Sequence, residues 1–560
     1  MVVKLLPFSK MNKKSGILLV TIVMLAFFLR LYKVTIIPPS LNWDEVSIGY
    51  NAYSVLKTGK DEWNQFLPLH FKSYGEYKLP AQIYASIPGI AIFGLNEIGV
   101  RITPVIYGTT TVLLIFFLAR AIFESEIVGL LSALLLGISP WHIHLTRASF
   151  ESSFAVFWLV LGVWLFVKGF SRSKILITSM IPLAVSVYTY NSARIFTPIF
   201  LLIVFLIYHK DLLKFRKALI ATVILFFSLM LPLVPFVLSG EGSARYKLVS
   251  ITDDPGLIPR INENRGNSTL PEPLPRLIHN KITYISLSFG KNYLAHFTPD
   301  FLFISGAPHK QHHVQNIGEL YLFQAPFLMI GLFLLFRKRQ KFRWLIISWL
   351  LLAFIPVATT NDSIPHALRT LIAVPTYQLI SGYGIYQSYL ILRARKEKLA
   401  WVFVFLMVLI VAASMVSYLN NYYNIYPKLY SRDWQYGNKQ VVEFISKHQD
   451  EYDQIYYTRH YGEPHMFTLF FLSYDPYKFQ SDPNLVRFET YNWIRVLRFD
   501  KYNFPDLGDP GTRFEDILKN NPNKKILFIG KPGDFPPEWH KLKTVNFLDG
   551  NPAFEIVERK

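Results

Sequence analysis

Long apolar runs recur along the first three quarters of this 560-residue chain. A helix that spans a membrane needs about 20 mostly apolar residues, and eleven runs approach or reach that length. They are Gly16–Val34, Val100–Phe123, Val128–Leu145, Phe154–Val167, Ile175–Tyr190, Ile195–Tyr208, Leu219–Leu238, Leu320–Phe336, Trp344–Ala358, Leu371–Leu392 and Leu399–Tyr418. The pattern predicts a mainly α protein, built as a polytopic bundle of transmembrane helices.

Basic residues concentrate in alternate connections between these runs. Lys and Arg are enriched in cytoplasmic loops, so we expect a cytoplasmic N-terminus and, with eleven spans, an extracytoplasmic tail. The basic residues on the inner side are Arg120; Lys168, Arg172 and Lys174; Lys210, Lys214, Arg216 and Lys217; Arg337, Lys338, Arg339, Lys341 and Arg343; and Arg393, Arg395, Lys396 and Lys398. No small-x-small site follows Gly16–Leu31, so we expect an uncleaved first span; a cleavable signal peptide is the alternative.

Two long outer loops, residues 35–99 and 239–318, interrupt the predicted bundle. In the first, Pro80, Pro88 and Gly89 break the apolar stretch Leu79–Gly94, which we interpret as an interfacial helix. The second is rich in Pro, Asn and Gly, which predicts an irregular loop with some helix near Leu277–Phe289.

The last part of the chain has a different pattern. Asn438–His448 shows helical spacing, while Gln454–Thr458, Lys525–Ile529 and Thr544–Phe547 are typical of short strands. We therefore predict two domains: a transmembrane domain at 1–419 and a small extracytoplasmic α/β domain at 420–560.

Composition supports a membrane protein and argues against a nucleic-acid partner. The chain is 51% hydrophobic and only 17% charged, whereas soluble domains average about 25% charged residues. The formal net charge is +20, yet residues 420–560 contain 19 basic and 19 acidic residues. The whole excess thus lies among the apolar runs, where it is typical of membrane topology signals rather than of a nucleic-acid surface. The sequence has no Cys, which excludes disulfides and thiol chemistry.

Two adjacent carboxylates, Asp44 and Glu45, follow the first run on the predicted outer side. One interpretation is a helix start, since Asp and Glu favour the first turn. The other is a general base at the membrane surface, where apolar surroundings raise a carboxylate pKa. The sequence leaves both open.

Other ionisable residues lie near the same predicted face. Glu151 is either a capping acid or a functional group, since ionisable residues at membrane depth are candidates for function. Cations there suit a phosphate or pyrophosphate. The candidate substrate-binding residues are Arg101, Arg147, Tyr190, Arg194, Lys291, His296, His313 and Arg369.

The histidines of the second outer loop raise the question of a metal. His309, His312 and His313 form an H-x-x-H-H cluster, but no fixed structural zinc pattern is present. We assign no metal ligand and no definite cofactor, and we leave a divalent cation open.

The arrangement resembles the polyprenyl-phosphate-dependent C-type glycosyltransferases. It is similar to bacterial relatives of the protein O-mannosyltransferases and to lipid A aminoarabinose transferase. The resemblance covers roughly residues 10–420, and the order and sidedness of short motifs make it specific. The stretches are Asn42–Tyr50 (NWDEVSIGY), Arg101–Arg120, Ser139–Glu151 (SPWHIHLTRASFE), Asn292–Gly306 (NYLAHFTPDFLFISG) and His366–Pro375 (HALRTLIAVP).

The resemblance implies an inverting enzyme that moves a sugar from a polyprenyl-phosphate donor to an outer-face acceptor. By position, Asp44 matches the base that deprotonates the acceptor, and Glu45 matches its companion. Glu151 falls where relatives often carry an Asp. The resemblance implies phosphate binding by Arg194 or Arg369, and a protein, lipid or glycan acceptor.

Two other function classes stay open. A transporter or flippase of lipid-linked saccharides would need alternating access, often with matching halves, and we see no such halves. A structural or receptor protein that binds partners through its tail is the third hypothesis.

Overall fold

A computed structural model describes residues 11–490, 493–507 and 512–559. Up to residue 123 the elements are α1 (Lys13–Leu31), α2 (Trp43–Thr58), β1 (Phe71–Ser73), β2 (Glu76–Lys78), α3 (Pro80–Phe93) and α4 (Glu97–Phe123). Eight helices follow: α5 (Glu126–Ile138), α6 (Pro140–Leu145), α7 (Glu151–Gly169), α8 (Ser173–Thr178), α9 (Met180–Val187), α10 (Asn191–Leu212), α11 (Arg216–Met230) and α12 (Val234–Leu238).

Ten further α-helices follow between residues 239 and 420 of the described chain. Residues 239–318 contain α13 (Ala244–Val249), α14 (Leu257–Gly266), α15 (Leu274–Ile278) and α16 (Lys281–Ala295). Then come α17 (Gln324–Arg337), α18 (Arg343–Leu352), α19 (Ile355–Ala358), α20 (Ala367–Thr370), α21 (Val374–Arg395) and α22 (Glu397–Asn420). The predicted irregular loop 239–318 is thus more helical than expected, because local caps such as Asn280 at the start of α16 offset its Pro and Gly content.

The C-terminal part alternates helices and strands. Its elements are α23 (Tyr426–Tyr430), α24 (Asn438–His448), β3 (Gln454–Tyr457), α25 (Pro464–Phe471), α26 (Pro476–Gln480), β4 (Val486–Glu489), β5 (Ile494–Phe499), β6 (Tyr502–Asn503), α27 (Phe514–Asn520), β7 (Ile526–Gly530), β8 (His540–Asn546) and β9 (Pro552–Glu558). Among the described residues the strands β3–β9 form one sheet in the order β4-β5-β6-β3-β7-β9-β8. The predicted fold class, a helical bundle with a C-terminal α/β region, is confirmed.

The apolar runs form helices of membrane character, and the chain is a multi-pass membrane protein. Within the described residues, five stretches are long and apolar enough to cross a bilayer: Lys13–Leu31, Glu97–Phe123, Glu151–Gly169, Asn191–Leu238 and Glu397–Tyr430. Shorter apolar helices correspond to four other predicted spans, Val128–Leu145, Ile175–Tyr190, Leu320–Phe336 and Trp344–Ala358. The predicted span Leu371–Leu392 corresponds to a 3-10 turn followed by α21, which belongs to neither set. Four predicted spans are divided between two α-helices. Val128–Leu145 divides at Ser139 and Ile175–Tyr190 at Ser179, while Leu219–Leu238 divides between α11 and α12 and Trp344–Ala358 between α18 and α19.

Small residues bring some of these helices close together. Helix α21 packs against α5 and α17. A Cβ added to Gly331 of α17 would collide with the carbonyl oxygen of Ile380 in α21, and one added to Gly384 of α21 would collide with that of Phe327 in α17. Membrane helices associate through such close backbone approach, since lipid gives no hydrophobic drive.

The chain divides into two compact units that do not follow chain order. The first contains Met1–Tyr32, Pro104–Thr146 and Phe150–Leu419, and the second contains Lys33–Thr103, Arg147–Ser149 and Asn420–Lys560. The predicted boundary after residue 419 coincides with one cut. However, the outer loop 35–99, which we placed in the first domain, belongs to the second unit. The reason is a shared core, in which Ile48 and Tyr50 of α2 cluster with Val441 and Phe470 of the C-terminal part.

Candidate active site

The start of α2 carries the predicted acidic pair. Asn42 caps this helix: its side chain accepts a hydrogen bond from the Glu45 N–H, and the Glu45 side chain accepts one from the Asn42 N–H. This reciprocal capping box places Asp44 and Glu45 in the first turn, where their charges suit the helix dipole. The helix-start interpretation is confirmed for both residues, and their separate surroundings decide what else each can do.

Glu45 is fully buried and bound on both oxygens. Its Oε1 and Oε2 each lie 2.9 Å from a nitrogen of Arg101, and Oε1 also accepts from the Ser149 N–H at 3.1 Å. Arg101, itself fully buried, donates its remaining N–H groups to the carbonyl oxygens of Val34, Pro38 and Ser40. All five guanidinium donors of Arg101 are therefore used within the protein.

Asp44 has a different environment. Its Oδ1 lies 2.6 Å from Nζ of Lys78, and the Asp44 side chain is 26% exposed whereas that of Lys78 is only 2% exposed. The hairpin β1–β2 places Lys78 there, in register with Phe71. Oδ2 of Asp44 has no hydrogen-bond partner among the described residues. Asp44 thus presents a partly exposed carboxylate beside a buried cation.

Aromatic rings surround this carboxylate. The rings of Trp43, Tyr74 and Trp493 lie 5.7–6.2 Å from one another, and the Tyr74 hydroxyl donates to the Trp43 carbonyl at 2.9 Å. Burial, together with the nearby charge of Asp44, raises the pKa of Tyr74 well above its ordinary value. Tyr74 is therefore a neutral hydrogen-bond donor and not a second base.

The segment Arg147–Ser149 completes the second unit's site. Besides its N–H bond to Glu45, Ser149 accepts a hydrogen bond from the Gln82 side chain at 2.8 Å. Arg147 is fully buried and donates to the Ile37 carbonyl at 2.7 Å. Its guanidinium also lies 5.4–5.5 Å from the ring centres of Tyr422 and Tyr423. Arg147 therefore anchors the backbone that precedes α2.

Glu151 lies in the first unit, at the first position of α7, and is half-buried. An acid in a first turn suits the helix dipole, so the capping interpretation has structural support. The preceding residue, Phe150, contacts the ring of His312 edge-on at 5.2 Å. A cavity common to Glu151 and Asp44 stays a prediction.

Three histidine rings of the first unit lie together. His309 and His312 stack at 3.8 Å, and His366 lies 5.1 Å from His312. Burial, with the adjacent ring of His309, lowers the pKa of His312 well below its ordinary value. Among the described residues no group of three His, Asp or Glu side chains has the arrangement of a metal site, and a divalent cation stays untested.

The other two histidine candidates have internal partners. Burial lowers the pKa of His296 to about 4; its Nε2 accepts from the His366 N–H at 3.0 Å, and its Nδ1 lies 2.7 Å from the Asn292 carbonyl. Burial alone would lower the pKa of His313, but Glu319, 3.0 Å away, raises it. His296 is thus a neutral linker and His313 half of a buried ion pair.

The remaining candidates lie at separate places in the first unit. Arg369 is buried and bound to Asp362 at 2.6 Å and Thr360 at 2.9 Å. Arg194 is half-buried and donates to the Asn191 side chain at 2.8 Å. The last two predicted residues also belong here: Tyr190, which precedes α10, and Lys291, which is exposed on α16.

Sequence reasoning missed Lys78, Tyr74 and Trp493. A lysine directly before the apolar stretch Leu79–Gly94 was a usable signal, since an isolated charge at such a boundary needs a partner. The contacts of Tyr74 and Trp493 depend on tertiary packing, and no local pattern indicates them.

Comparison with known proteins shows which family and fold the chain is similar to. Residues 20–242 match the family described as dolichyl-phosphate-mannose-protein mannosyltransferase. An uncharacterised protein of Aquifex aeolicus is 29% identical over 212 residues, which is 37% of this chain and 40% of that protein. The match therefore spans about two fifths of that relative's length.

Two solved structures of ArnT share the fold of this chain. ArnT from Cupriavidus metallidurans, in the apo state, is 12% identical, with a TM-score of 0.53 and 98% of each chain covered. The same protein bound to undecaprenyl phosphate is 13% identical, with a TM-score of 0.52 and 97% of each chain covered. An oligosaccharyltransferase of Archaeoglobus fulgidus is 15% identical with a TM-score of 0.45, covering 73% of this chain and 56% of that one.

The chain is similar to the polyprenyl-phosphate-dependent C-type glycosyltransferases. The family match over residues 20–242 and the ArnT-like fold agree with the resemblance inferred from the sequence.

Proposed function

We propose that this protein is an inverting glycosyltransferase that moves a sugar from a polyprenyl phosphate to an acceptor on the extracytoplasmic face. The observation that carries the proposal is the partly exposed carboxylate of Asp44 beside the buried ammonium of Lys78. The mannosyltransferase family match and the fold shared with undecaprenyl-phosphate-bound ArnT support the donor class. The basic-loop pattern supports a cytoplasmic N-terminus and an extracytoplasmic tail.

In the proposed step, Asp44 takes the proton of an acceptor hydroxyl or amine. The acceptor atom then forms a bond to the anomeric carbon as the bond from that carbon to the phosphate oxygen breaks. The electron pair of the broken bond stays on the phosphate, so negative charge develops there. A positioned base contributes about 10²–10⁴-fold to such a step.

Asp44 is a better base than Glu45 because of access. A base must come within hydrogen-bond reach of the proton that it removes. The Asp44 side chain is 26% exposed, whereas Glu45 is fully buried and accepts hydrogen bonds from Arg101, Ser149 and Asn42. We therefore assign Glu45 and Arg101 as positioning residues that hold the start of α2 in place.

Lys78 is the cation best placed to meet the departing phosphate. Acceptor and leaving group both contact one anomeric carbon in the transition state, so the phosphate lies across that carbon from the base, at a distance that a lysine side chain can span. Lys78 Nζ is 2.6 Å from Asp44 Oδ1, and a preorganised cation at the developing charge is usually a large catalytic effect. Arg194 and Arg369 stay candidates for holding the phosphate during donor entry.

The decisive experiment compares two carboxylates near Lys78. Asp44→Asn should abolish transfer, whereas Glu76→Gln, which changes a carboxylate 3.7 Å from the same lysine, should retain it. Purified protein in detergent is incubated with undecaprenyl- and dolichyl-phosphate sugars and surface glycoconjugates as acceptors. Release of polyprenyl phosphate is measured by mass spectrometry.

The outcomes separate the function classes. Full activity of Asp44→Asn would refute the base assignment. If wild-type protein consumes no donor in detergent but moves lipid-linked saccharides across proteoliposomes, the transferase proposal fails in favour of a transporter. Comparison of surface glycoconjugates with and without the gene identifies the natural acceptor.

A further inference from the structure

A groove of about 740 Å³ lies in the C-terminal sheet region, away from the residues of the proposed reaction. Its lining includes Phe514 and Lys519 of α27, the turn that leads into β7, and Trp539. All these residues belong to the second unit. None of them is used in the proposed step, so the groove needs its own explanation.

The register of the sheet explains why these side chains meet. Strand β9 pairs antiparallel with β7 on one side and with β8 on the other, and Glu558 is the partner of both Leu527 and His540. One residue further along, Arg559 therefore follows β9 at the end of the sheet where β7 and β8 begin. Trp539 directly precedes β8 at this same end.

Cations dominate the groove. Four basic residues line it, against the two carboxylates Glu515 and Glu538. Residues 420–560 as a whole carry equal numbers of basic and acidic groups, so this excess is local. The four basic residues are Lys519, Lys524, Lys525 and Arg559.

Three of these cations are available to a ligand. Lys525 lies 3.8 Å from Glu451 and 4.6 Å from the ring centre of Tyr452. By contrast, Lys519, Lys524 and Arg559 are exposed and have no ion-pair partner within the described part of the chain. Cations gathered without internal partners favour an anionic ligand.

The aromatic wall is rigid. The Trp539 ring stacks on Phe535 at 6.0 Å and meets Phe514 edge-on at 5.3 Å. Such packing fixes the plane of a half-buried indole, which leaves a flat apolar surface beside the cations. A sugar ring offers flat C–H surface together with hydroxyls, so it matches a wall of this kind.

We propose that this groove binds an anionic saccharide, a chain of sugars that carries carboxylate or phosphate groups. The cations select the charge, and Trp539 with Phe514 contacts the sugar rings. The binding claim does not depend on the transfer reaction, because it concerns a separate surface.

The test is direct binding by the full-length protein in detergent. The probe is an oligogalacturonate, compared with a neutral malto-oligosaccharide of equal length. We expect the acidic probe alone to bind, and the double variant Lys519→Glu with Lys524→Glu to weaken it by about tenfold or more. Added salt should weaken binding as well, because the cations are exposed to solvent.

A matched double variant is the control. Lys447→Glu with Lys478→Glu reverses two exposed charges of the same unit outside the groove, and it should leave affinity within about twofold. Equal loss in both double variants would overturn the site. Equal or tighter binding of a polyglutamate peptide, or of anionic vesicles, would overturn the saccharide assignment.

Discussion

Removal of the Glu45 charge tests whether Glu45 positions the start of α2 while Asp44 acts as the base. Glu45→Gln replaces a carboxylate that accepts hydrogen bonds from Arg101, Asn42 and Ser149. The amide keeps the shape but turns one acceptor into a donor, which then faces another donor. It also leaves the Arg101 guanidinium fully buried with no negative partner.

The expected loss of stability is large because both partners are fully buried. Breaking a buried ion pair by changing one partner costs about 3–5 kcal/mol. For a folded unit of this size, about 1 kcal/mol lowers Tm by roughly 2–4 °C. We therefore expect Glu45→Gln to lower the Tm of the detergent-solubilised protein by roughly 6–20 °C.

A second ion pair of the same unit is the control. Lys439 lies 2.5 Å from Glu97, but its side chain is 39% exposed. Because exposed pairs contribute only about 0–1 kcal/mol, Lys439→Ala should change Tm little. Removing both buried partners, as Glu45→Leu with Arg101→Met, should recover only part of the loss, since the carbonyls of Val34, Pro38 and Ser40 then lose their donor.

The assay measures unfolding and donor consumption in the same preparations. Glu45→Gln should reduce turnover per folded molecule at low temperature without abolishing it, whereas Asp44→Asn should fold normally and have none. The reasoning is refuted if Glu45→Gln leaves Tm unchanged and loses turnover as completely as Asp44→Asn. That result would assign Glu45 to the chemical step.

Three further predictions address neighbouring features. Lys78→Met should lower kcat/KM for transfer by ~10²–10³-fold with no comparable loss in protein yield, because it removes the cation at the developing phosphate charge; steady-state kinetics test this. Glu319 raises the pKa of His313, so the stabilisation is complete below the ordinary pKa of about 6.5 and is lost as pH rises through the raised value. His313→Asn should therefore flatten the decline of Tm with pH. Gly306→Ala should cost about 1–3 kcal/mol, measured by Tm, since Gly306 has φ of +75° and an added Cβ would collide with the His313 ring.

Local sequence patterns predicted a secondary-structure element correctly where the pattern lies within the segment itself. The helix Asn438–His448 was predicted with its observed bounds because its apolar residues share one face. The apolar stretch Leu79–Gly94 is the helix Pro80–Phe93, which starts at a proline as expected of a first turn. Strong apolar periodicity and clear helix-end residues make such elements predictable from the sequence without knowledge of tertiary contacts.

Patterns were insufficient where packing decides the outcome. Hydropathy predicted one span over Ile175–Tyr190, but the helix divides into α8 and α9 at Ser179. A hydropathy value averaged over the segment does not detect such a break. Strand β9 was missed although it lies between β7 and β8 in the sheet. Its pairing with β8 is a local hairpin, since only residues 547–551 separate the two strands, whereas its pairing with β7 joins residues at least 25 positions apart.

The candidate site shows the same limit at the level of single residues. The sequence located Asp44 and Glu45 but could not separate their roles, because both fit a helix start. Consecutive residues on a helix point about 100° apart, so one of the pair faces the core when the other faces outward. In this fold Glu45 faces inward to Arg101, and Asp44 faces outward to Lys78.

This geometry gives a reason for an acidic pair rather than a single acid. A base at the surface of a membrane must be held rigidly and still have an open oxygen. Glu45 meets the first requirement by fixing the helix start through Arg101 and Ser149. Asp44 can then keep Oδ1 on Lys78 while its side chain stays partly exposed. On this argument the two carboxylates are complementary: loss of one removes the reacting group, and loss of the other removes its support.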